Sequence, residues 1–148
     1  MIEIKDFFLA RAGRSGRLRQ DELSFDTDGV IGDKFYGKNP ERSVLITTVA
    51  AYDLAAEHGI GLEAGDLGEN ILLDVDPSEL EEGSIVQIGE VELRVSRRCP
   101  ICDHLSVYDP RLPRLVKEIR GVYLSVLRGG RIDRDSSVEI IYNRGTEE

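Results

Sequence analysis

Two cysteines, Cys99 and Cys102, stand three residues apart and are the side chains of this sequence best suited to chemistry. A zinc site would need two more thiolates or imidazoles, and the histidines are His58 and His104, of which His104 follows Cys102 too closely to be the usual loop-spaced ligand. A dithiol redox motif normally opens a helix in a βαβ unit, and the parallel pattern is missing here. The third interpretation, which we favour, is a single nucleophilic or metal-ligating thiolate at Cys102. We expect no zinc.

The residues around Cys102 favour its ionised form. Arg97 and Arg98 lie just upstream and His104 lies two residues downstream. Positive charge beside a thiol stabilises the thiolate, which is the form that persulfide transfer or soft-metal ligation needs. Such a cysteine can also be a small buried apolar residue. The polar, arginine-flanked and proline-containing segment around Cys102 favours the reactive interpretation.

The charge composition narrows the class of ligand. The net charge of −9 argues against a nucleic-acid-binding protein, because phosphate backbones are bound through a local excess of lysine and arginine. Among the 19 basic residues arginine greatly outnumbers lysine. The planar guanidinium suits carboxylates and phosphates, so the composition is compatible with one site for a small anion and equally with ordinary surface pairing.

Three short polar segments could line a site together with the cysteine. Gly65-Asp66-Leu67-Gly68-Glu69-Asn70 leads into a predicted strand, where its glycines would expose backbone N–H groups and Asn70 could donate and accept at the edge of a heterocycle. Gly32-Asp33-Lys34 and Glu41-Arg42 stand in or after a long irregular loop over 26–40. Each segment is also compatible with a plain turn or strand end.

The surrounding pattern predicts a β-rich fold. We expect extended segments over 1–10, 17–25, 43–47, 70–75, 84–88, 91–96, 121–127 and 138–142, helices over about 49–58 and 112–119, and turns at 12–16 and 129–130. Gly89-Glu90 joins two of the strands as a hairpin of type II′. Many short strands with few helices favour a mainly β fold, a closed or nearly closed β-barrel.

The length and the hydropathy pattern predict one domain over residues 1–148. No segment approaches the roughly 18 apolar residues that cross a bilayer, and the N-terminus lacks the pattern of a secretory signal. We therefore expect a cytoplasmic protein with no membrane partner. A disulfide between Cys99 and Cys102 would close a very small loop and stabilise the fold little.

Several motifs, taken in order, resemble the MOSC domain family, the molybdenum cofactor sulfurase C-terminal-like proteins. The likeness covers about residues 1–142 and rests on 29–34, 42–47, 65–71, 80–83, 88–89 and 97–102. It implies a mostly β fold of the pyruvate-kinase-barrel kind and a loop cysteine that acts in sulfur transfer or molybdenum-cofactor binding. The family cysteine precedes a short polar stretch that reaches an Asp-Pro pair, as Cys102 precedes Asp109-Pro110, so the role falls on Cys102 rather than Cys99.

The resemblance also implies partners. In larger relatives the domain follows a pyridoxal-phosphate-dependent cysteine desulfurase, and in the amidoxime-reducing components the matching cysteine ligates molybdenum. No desulfurase sequence is attached here, so we expect a separate cysteine desulfurase as sulfur donor and a molybdoenzyme or cofactor-synthesis protein as acceptor. The additional N-terminal β-barrel domain of the larger members is absent as well, which argues against tight cofactor binding by this domain alone.

The arginine-flanked thiol, the glycine-rich loops and the ordered motifs together give a hypothesis about molybdopterin, the pterin of the cofactor. Cys102 would carry a persulfide or contact molybdenum. The phosphate would be held by Arg42, Arg97 and Arg98, and the pocket would be shaped by Asp33, Lys34, Glu69 and Asn70. Two alternatives remain: a non-catalytic module that binds the cofactor or docks to a partner, and a small molybdenum-dependent reductase of N-oxygenated compounds. Whether the chain is an enzyme therefore stays open.

Overall fold

A computed structural model describes residues 2–11, 13, 17–98 and 103–142, with the side chains of residues 103 and 104 left aside. Within these ranges the chain is mainly β. The strands are β1 (Glu3–Ala10), β2 (Arg17–Gln20), β3 (Glu22–Asp26), β4 (Gly29–Val30), β5 (Val44–Thr48), β6 (Ile71–Asp74), β7 (Ile85–Ile88), β8 (Val91–Arg98), β9 (Gly121–Arg128), β10 (Gly130–Asp133) and β11 (Val138–Ile141). The α-helices are α1 (Val49–Glu57) and α2 (Leu112–Leu115), and short 3₁₀ helices cover Pro40–Arg42, Pro77–Glu79 and Asp103–Val107.

The larger sheet has eight strands in the order β11-β7-β8-β9-β5-β6-β1-β2. Its neighbours pair antiparallel except for β5 and β6, which are parallel. A parallel pair needs a crossover connection, and α1 lies in the one between β5 and β6. A smaller antiparallel sheet has the order β10-β3-β4.

The prediction of a closed or nearly closed barrel is wrong, because the described strands form two open sheets. The chain leaves the larger sheet twice: β2 gives way to β3 at Asp21, and β9 gives way to β10 at Gly129. A Cβ atom at Gly129 would lie 2.2 Å from the carbonyl oxygen of Phe25, so only glycine allows the two backbones to approach this closely. In the described strand order β2 and β11 are the two edges of the larger sheet and do not pair with each other.

Local predictions hold better than the global one. The hairpin register places Ile88 opposite Val91, and Gly89 has a φ of 56° while Glu90 does not take a positive φ, as a type II′ turn requires. The segment predicted over 17–25 is two strands, and the helix predicted over 112–119 is only the four residues of α2. Strand β10 begins at Gly130, directly after the position of the predicted turn, and was not predicted.

Two apolar clusters stabilise the molecule. The first lies between the sheets and includes the fully buried Phe7, Ile46, Leu93 and Leu124. The second joins α1 to α2, with Ala51, Ala55, Leu67, Leu105, Leu112 and Val116 buried together. Leu67 and Leu105 are 0% exposed and stand close in sequence to cleft-lining residues, so this cluster anchors the segments that carry the candidate site.

Candidate anion-binding cleft

A cleft of about 600 Å³ opens between the end of β1, the start of β2, the loop after β4 and the segment that leads into β6. Its cationic lining residues among those described are Arg17, Lys34, Lys38, Arg42 and Arg120. Its acidic lining residues in the same ranges are Asp33 and Asp66. The cleft is thus locally basic in a chain whose net charge is −9, which favours a small anionic ligand.

Arg120 lies at the back of the cleft and is 5% exposed. Its Nε and Nη2 atoms both donate to the carbonyl oxygen of Leu67, at 3.1 and 2.7 Å. Gly68 follows Leu67 with a φ of +92°, and a Cβ atom there would lie 3.3 Å from Nη2 of Arg120 and 3.9 Å from Nη2 of Arg17. The missing side chain of Gly68 therefore leaves room for two guanidinium groups side by side.

Arg17 is the second of these groups, and its side chain is only 16% exposed. Its Nη1 atom lies 3.8 Å from Oδ1 of Asp33, is buried, and makes no hydrogen bond to any residue that the structure describes. Burial lowers the pKa of Arg17 from its ordinary value, and the charges of Asp33 and Glu69 oppose this while Arg120 adds to it. A buried donor without a partner costs free energy, so the position suits an anion that accepts from it.

Asp33 and Asn70 connect the strands that border the cleft through hydrogen bonds to their backbone. Asn70 accepts from the amide of Leu45 at 3.1 Å through Oδ1 and donates through Nδ2 to the carbonyl of Phe8 and to Oδ1 of Asp33, at 3.2 and 3.1 Å. Asp33 also accepts from the amide of Ala10 at 2.8 Å. The polar atoms of the Asn70 amide group are engaged within the protein, so its observed contacts are structural.

Glu69 lies behind the cleft and is 0% exposed. Its Oε2 atom accepts a hydrogen bond of 2.5 Å from the hydroxyl of Tyr52 on α1. The same hydroxyl accepts from the amides of Gly65 and Leu67, at 3.1 and 3.2 Å. Burial raises the pKa of Glu69, although hydrogen bonds to its carboxylate, that of Tyr52 foremost, act in the opposite direction. Burial, followed by the nearby charge of Glu69, also raises the pKa of Tyr52.

Aromatic rings and cations alternate around the mouth of the cleft. The Phe35 ring is 43% exposed, with Nζ of Lys34 at 5.1 Å and Cζ of Arg17 at 6.0 Å from its centroid. On the opposite side Cζ of Arg42 lies 5.3 Å from the centroid of Tyr123. Tyr108 also lines the cleft and is 44% exposed. This combination suits an anion attached to a planar or apolar group.

The structure brings only part of the predicted site together. Asp33, Lys34, Arg42 and Asn70 line the cleft, and Glu69 lies directly behind it. Arg97 and Arg98 do not line it: both are exposed on β8, and Nη1 of Arg98 lies 2.6 Å from Oε1 of Glu118. Cys99 and Cys102 lie outside the described residues.

Sequence reasoning missed Arg17, Lys38 and Arg120. Arg17 stands next to a turn and Arg120 directly before the glycine that opens β9, and neither position carries a local motif. Their partnership depends on contacts between segments that are distant in sequence. Excess arginine in the composition was the signal that pointed to such a site without locating it.

Metal-ligand clusters and membrane-spanning helices were sought in the described part of the chain, and neither is found. No group of three His, Cys, Asp or Glu side chains within it is placed to hold a metal ion. No helix within it is both long and apolar enough to cross a bilayer.

The two-sheet architecture and the basic cleft define a small, mainly β domain whose cleft has the charge to suit a small anion. Within that class the chain belongs to the MOSC domain family, whose model matches residues 33–139, as the ordered motifs predicted. This family is associated with the molybdenum cofactor. No curated protein sequence matches the chain.

Solved structures share the fold. The YuaD protein from Bacillus subtilis has a TM-score of 0.79 and 20% identity, over 97% of this chain and 98% of that one. YiiM from Geobacillus stearothermophilus has a TM-score of 0.79 and 16% identity, over 99% and 77% of the two chains. YiiM from Escherichia coli has a TM-score of 0.74 and 21% identity, over 95% and 70%. At these identities the comparison establishes a common fold.

Proposed function

We propose that this domain binds the phosphate of the molybdenum cofactor in the basic cleft and carries sulfur for the cofactor on Cys102. The observation that carries the proposal is that Nη2 of the largely buried Arg17 and Nη2 of the buried Arg120 both lie within 4 Å of the position that a Cβ atom of Gly68 would occupy. Charge-assisted hydrogen bonds from arginine are the strongest that a protein offers to phosphate. Membership of the MOSC family supports the molybdenum cofactor as the source of this phosphate.

The residues of the cleft fit the phosphate end of the cofactor. The buried Nη1 of Arg17 has no hydrogen-bond partner among the described residues, and Arg42, Lys34 and Lys38 add positive charge at the mouth. Phe35 and Tyr108 offer partly exposed rings beside these cations. The cofactor, when bound, supplies the redox-active metal centre. A molybdenum ligand from this chain would be Cys102.

The sulfur step that we propose is a redox-neutral transfer. The thiolate of Cys102 attacks the outer sulfur of a persulfide on the donor protein, the donor's S–S bond breaks, and the donor cysteine leaves as a thiolate. A separate pyridoxal-phosphate-dependent cysteine desulfurase is the proposed donor. A molybdoenzyme or a cofactor-synthesis protein is the proposed acceptor of the sulfur.

Mass spectrometry of the intact protein and of its proteolytic peptides tests this step. The purified chain is incubated with a cysteine desulfurase and free cysteine, and we expect an added mass of about 32 Da, one sulfur atom, on the peptide that contains Cys102. The variant Cys102→Ser should lose the adduct, and the matched variant Cys99→Ser should retain it. An adduct that persists in Cys102→Ser, or that never forms, would contradict sulfur carriage. Full support of a partner molybdoenzyme by Cys102→Ser would favour a docking module instead.

A further inference from the structure

Glu69 is a buried acid to which phosphate binding assigns no role. It is 0% exposed, and it lies behind the cleft, so it does not contact the ligand space directly. The amide of Gly65 donates to its Oε2 atom at 3.3 Å and the hydroxyl of Tyr52 at 2.5 Å. Buried carboxyl groups are uncommon in proteins unless their charge is compensated.

One backbone segment links Glu69 to the guanidinium pair. The hydroxyl of Tyr52 accepts hydrogen bonds from the amides of Gly65 and Leu67. The carbonyl oxygen of the same Leu67 accepts two hydrogen bonds from the guanidinium group of Arg120. The charge of Glu69 also acts on Arg17 across the cleft wall. A change in the charge of Glu69 is therefore felt by both guanidinium groups, by Arg17 through space and by Arg120 through the loop.

The groups that face this carboxyl from the surrounding elements define its electrostatics. Tyr52 contributes from α1 and Arg17 from β2, with Arg120 beside Arg17. Tyr108 lies within range from the segment after the 3₁₀ helix, and Asp66 contributes from the Gly65–Gly68 loop through its contact with Tyr108. Asp33 faces Arg17 from the loop after β4, with Oδ1 at 3.8 Å from Nη1. Two guanidinium groups therefore stand against two buried carboxyl groups, Asp33 and Glu69, and the partly exposed Asp66.

Resting on the proposed function, we propose that Glu69 is a positioning residue that serves as the internal counter-charge of Arg17 and Arg120 and takes up one proton from solvent when a dianion enters the cleft. With the cleft empty, Asp33 pairs with Arg17, and an ionised Glu69 supplies a second buried negative charge for the two guanidinium groups. A bound dianion compensates the charge of the guanidinium groups in place of Glu69 and repels the Glu69 carboxylate, because charges interact strongly where water is excluded. The proton then converts the Glu69 carboxylate to the neutral acid, and no other bond is made or broken.

The sign of the pH dependence follows from this coupling. Burial already raises the pKa of Glu69, and a bound dianion raises the pKa further. Because the complex binds more protons than the free protein, anion affinity is highest at low pH and falls as the pH rises between the two pKa values. If Glu69 were only a structural hydrogen-bond acceptor, its protonation would not make the anion affinity depend on pH.

Sulfate is a suitable probe, since it stays a dianion across the working pH range. Binding is followed by NMR through the amide of Gly68 between pH 5.5 and 9 at constant ionic strength. We expect the wild-type affinity to fall by up to about tenfold per pH unit within the titration window. Glu69→Gln should bind sulfate with a pH-independent affinity close to the wild-type low-pH value. The matched variant Glu63→Gln, on an exposed residue that does not line the cleft, should keep the wild-type slope.

A second measurement requires no variant. Sulfate added to weakly buffered wild-type protein within the window should raise the pH by an amount that corresponds to about one proton per bound anion. Sulfate that binds with unchanged affinity at every pH and without proton uptake would overturn the role of Glu69 and leave the proposed phosphate site intact. Sulfate that fails to bind wild-type protein at any pH would overturn both.

Discussion

At the scale of single residues, the side chains that build the cleft divide into those that face the ligand space and those that hold its walls. Arg17 and Arg120 belong to the first group. Asp33 and Asn70 belong to both, since each lines the cleft and each also makes hydrogen bonds to the backbone of neighbouring strands. The sequence motifs located the wall residues, because Asp33 and Asn70 stand in short polar segments that are recognisable locally.

The Asn70 side chain should contribute strongly to stability. Asn70→Ala removes its bonds to the backbone of Leu45 and Phe8 and leaves those buried groups without partners. We expect a loss of about 2 to 3 kcal/mol in the free energy of unfolding, measured by urea denaturation. A loss below about 0.5 kcal/mol would show that water or a rearranged backbone replaces these bonds.

At the scale of elements, most individual strands were predictable from the sequence, whereas their arrangement into two open sheets was not. Local alternation and the Gly89-Glu90 turn defined the β7–β8 hairpin. The parallel β5–α1–β6 crossover was not predicted, although both strands and the helix were, because the sequence was interpreted as lacking a parallel pattern. The step from β9 to β10 at Gly129 depends on the close approach of another strand, which no local pattern reveals. For the same reason Arg17 and Arg120 could not be paired from sequence.

Gly129 should tolerate no side chain. A Cβ atom at this position meets the carbonyl oxygen of Phe25 at 2.2 Å, so Gly129→Ala must displace β10 from β3. We expect a loss of at least about 3 kcal/mol in unfolding free energy, or failure to fold. Gly61→Ala is the matched control, because a Cβ atom there meets nothing within 4 Å, and it should change stability by less than about 0.5 kcal/mol. Equal effects of the two substitutions on stability would contradict the close approach of Gly129 to the backbone of Phe25.

At the scale of the whole molecule, an acidic protein keeps one basic cleft, and a buried acid lies behind it. The net charge is −9, yet Arg17, Arg42 and Arg120 converge on a single pocket. The surface charge and the pocket charge therefore have opposite signs. Small anions with an attached ring can enter such a cleft, whereas long polyanions meet repulsion from the surrounding surface.

Stability should depend on pH through Glu69. Burial raises the pKa of Glu69 in the folded protein above its unfolded value of about 4.3. The resulting stabilisation is complete below the unfolded pKa and is lost as the pH rises through the folded pKa. The melting temperature of wild-type protein relative to Glu69→Gln should therefore fall as the pH increases from 5 to 9. A difference that stays constant over this range would mean that Glu69 does not change protonation on folding.

Retention of pterin by the purified protein tests the phosphate cleft most directly. Wild-type, Arg17→Gln and Arg131→Gln proteins are produced in cells that make the molybdenum cofactor, and bound pterin is oxidised and quantified by fluorescence. Arg131 has a side chain that is 70% exposed and does not line the cleft, so its variant matches the charge change of Arg17→Gln. We predict pterin in the wild-type and Arg131→Gln proteins and at least about a tenfold loss in Arg17→Gln, the equivalent of one charge-assisted hydrogen bond. Equal pterin in all three proteins, or none in the wild type, would contradict the account.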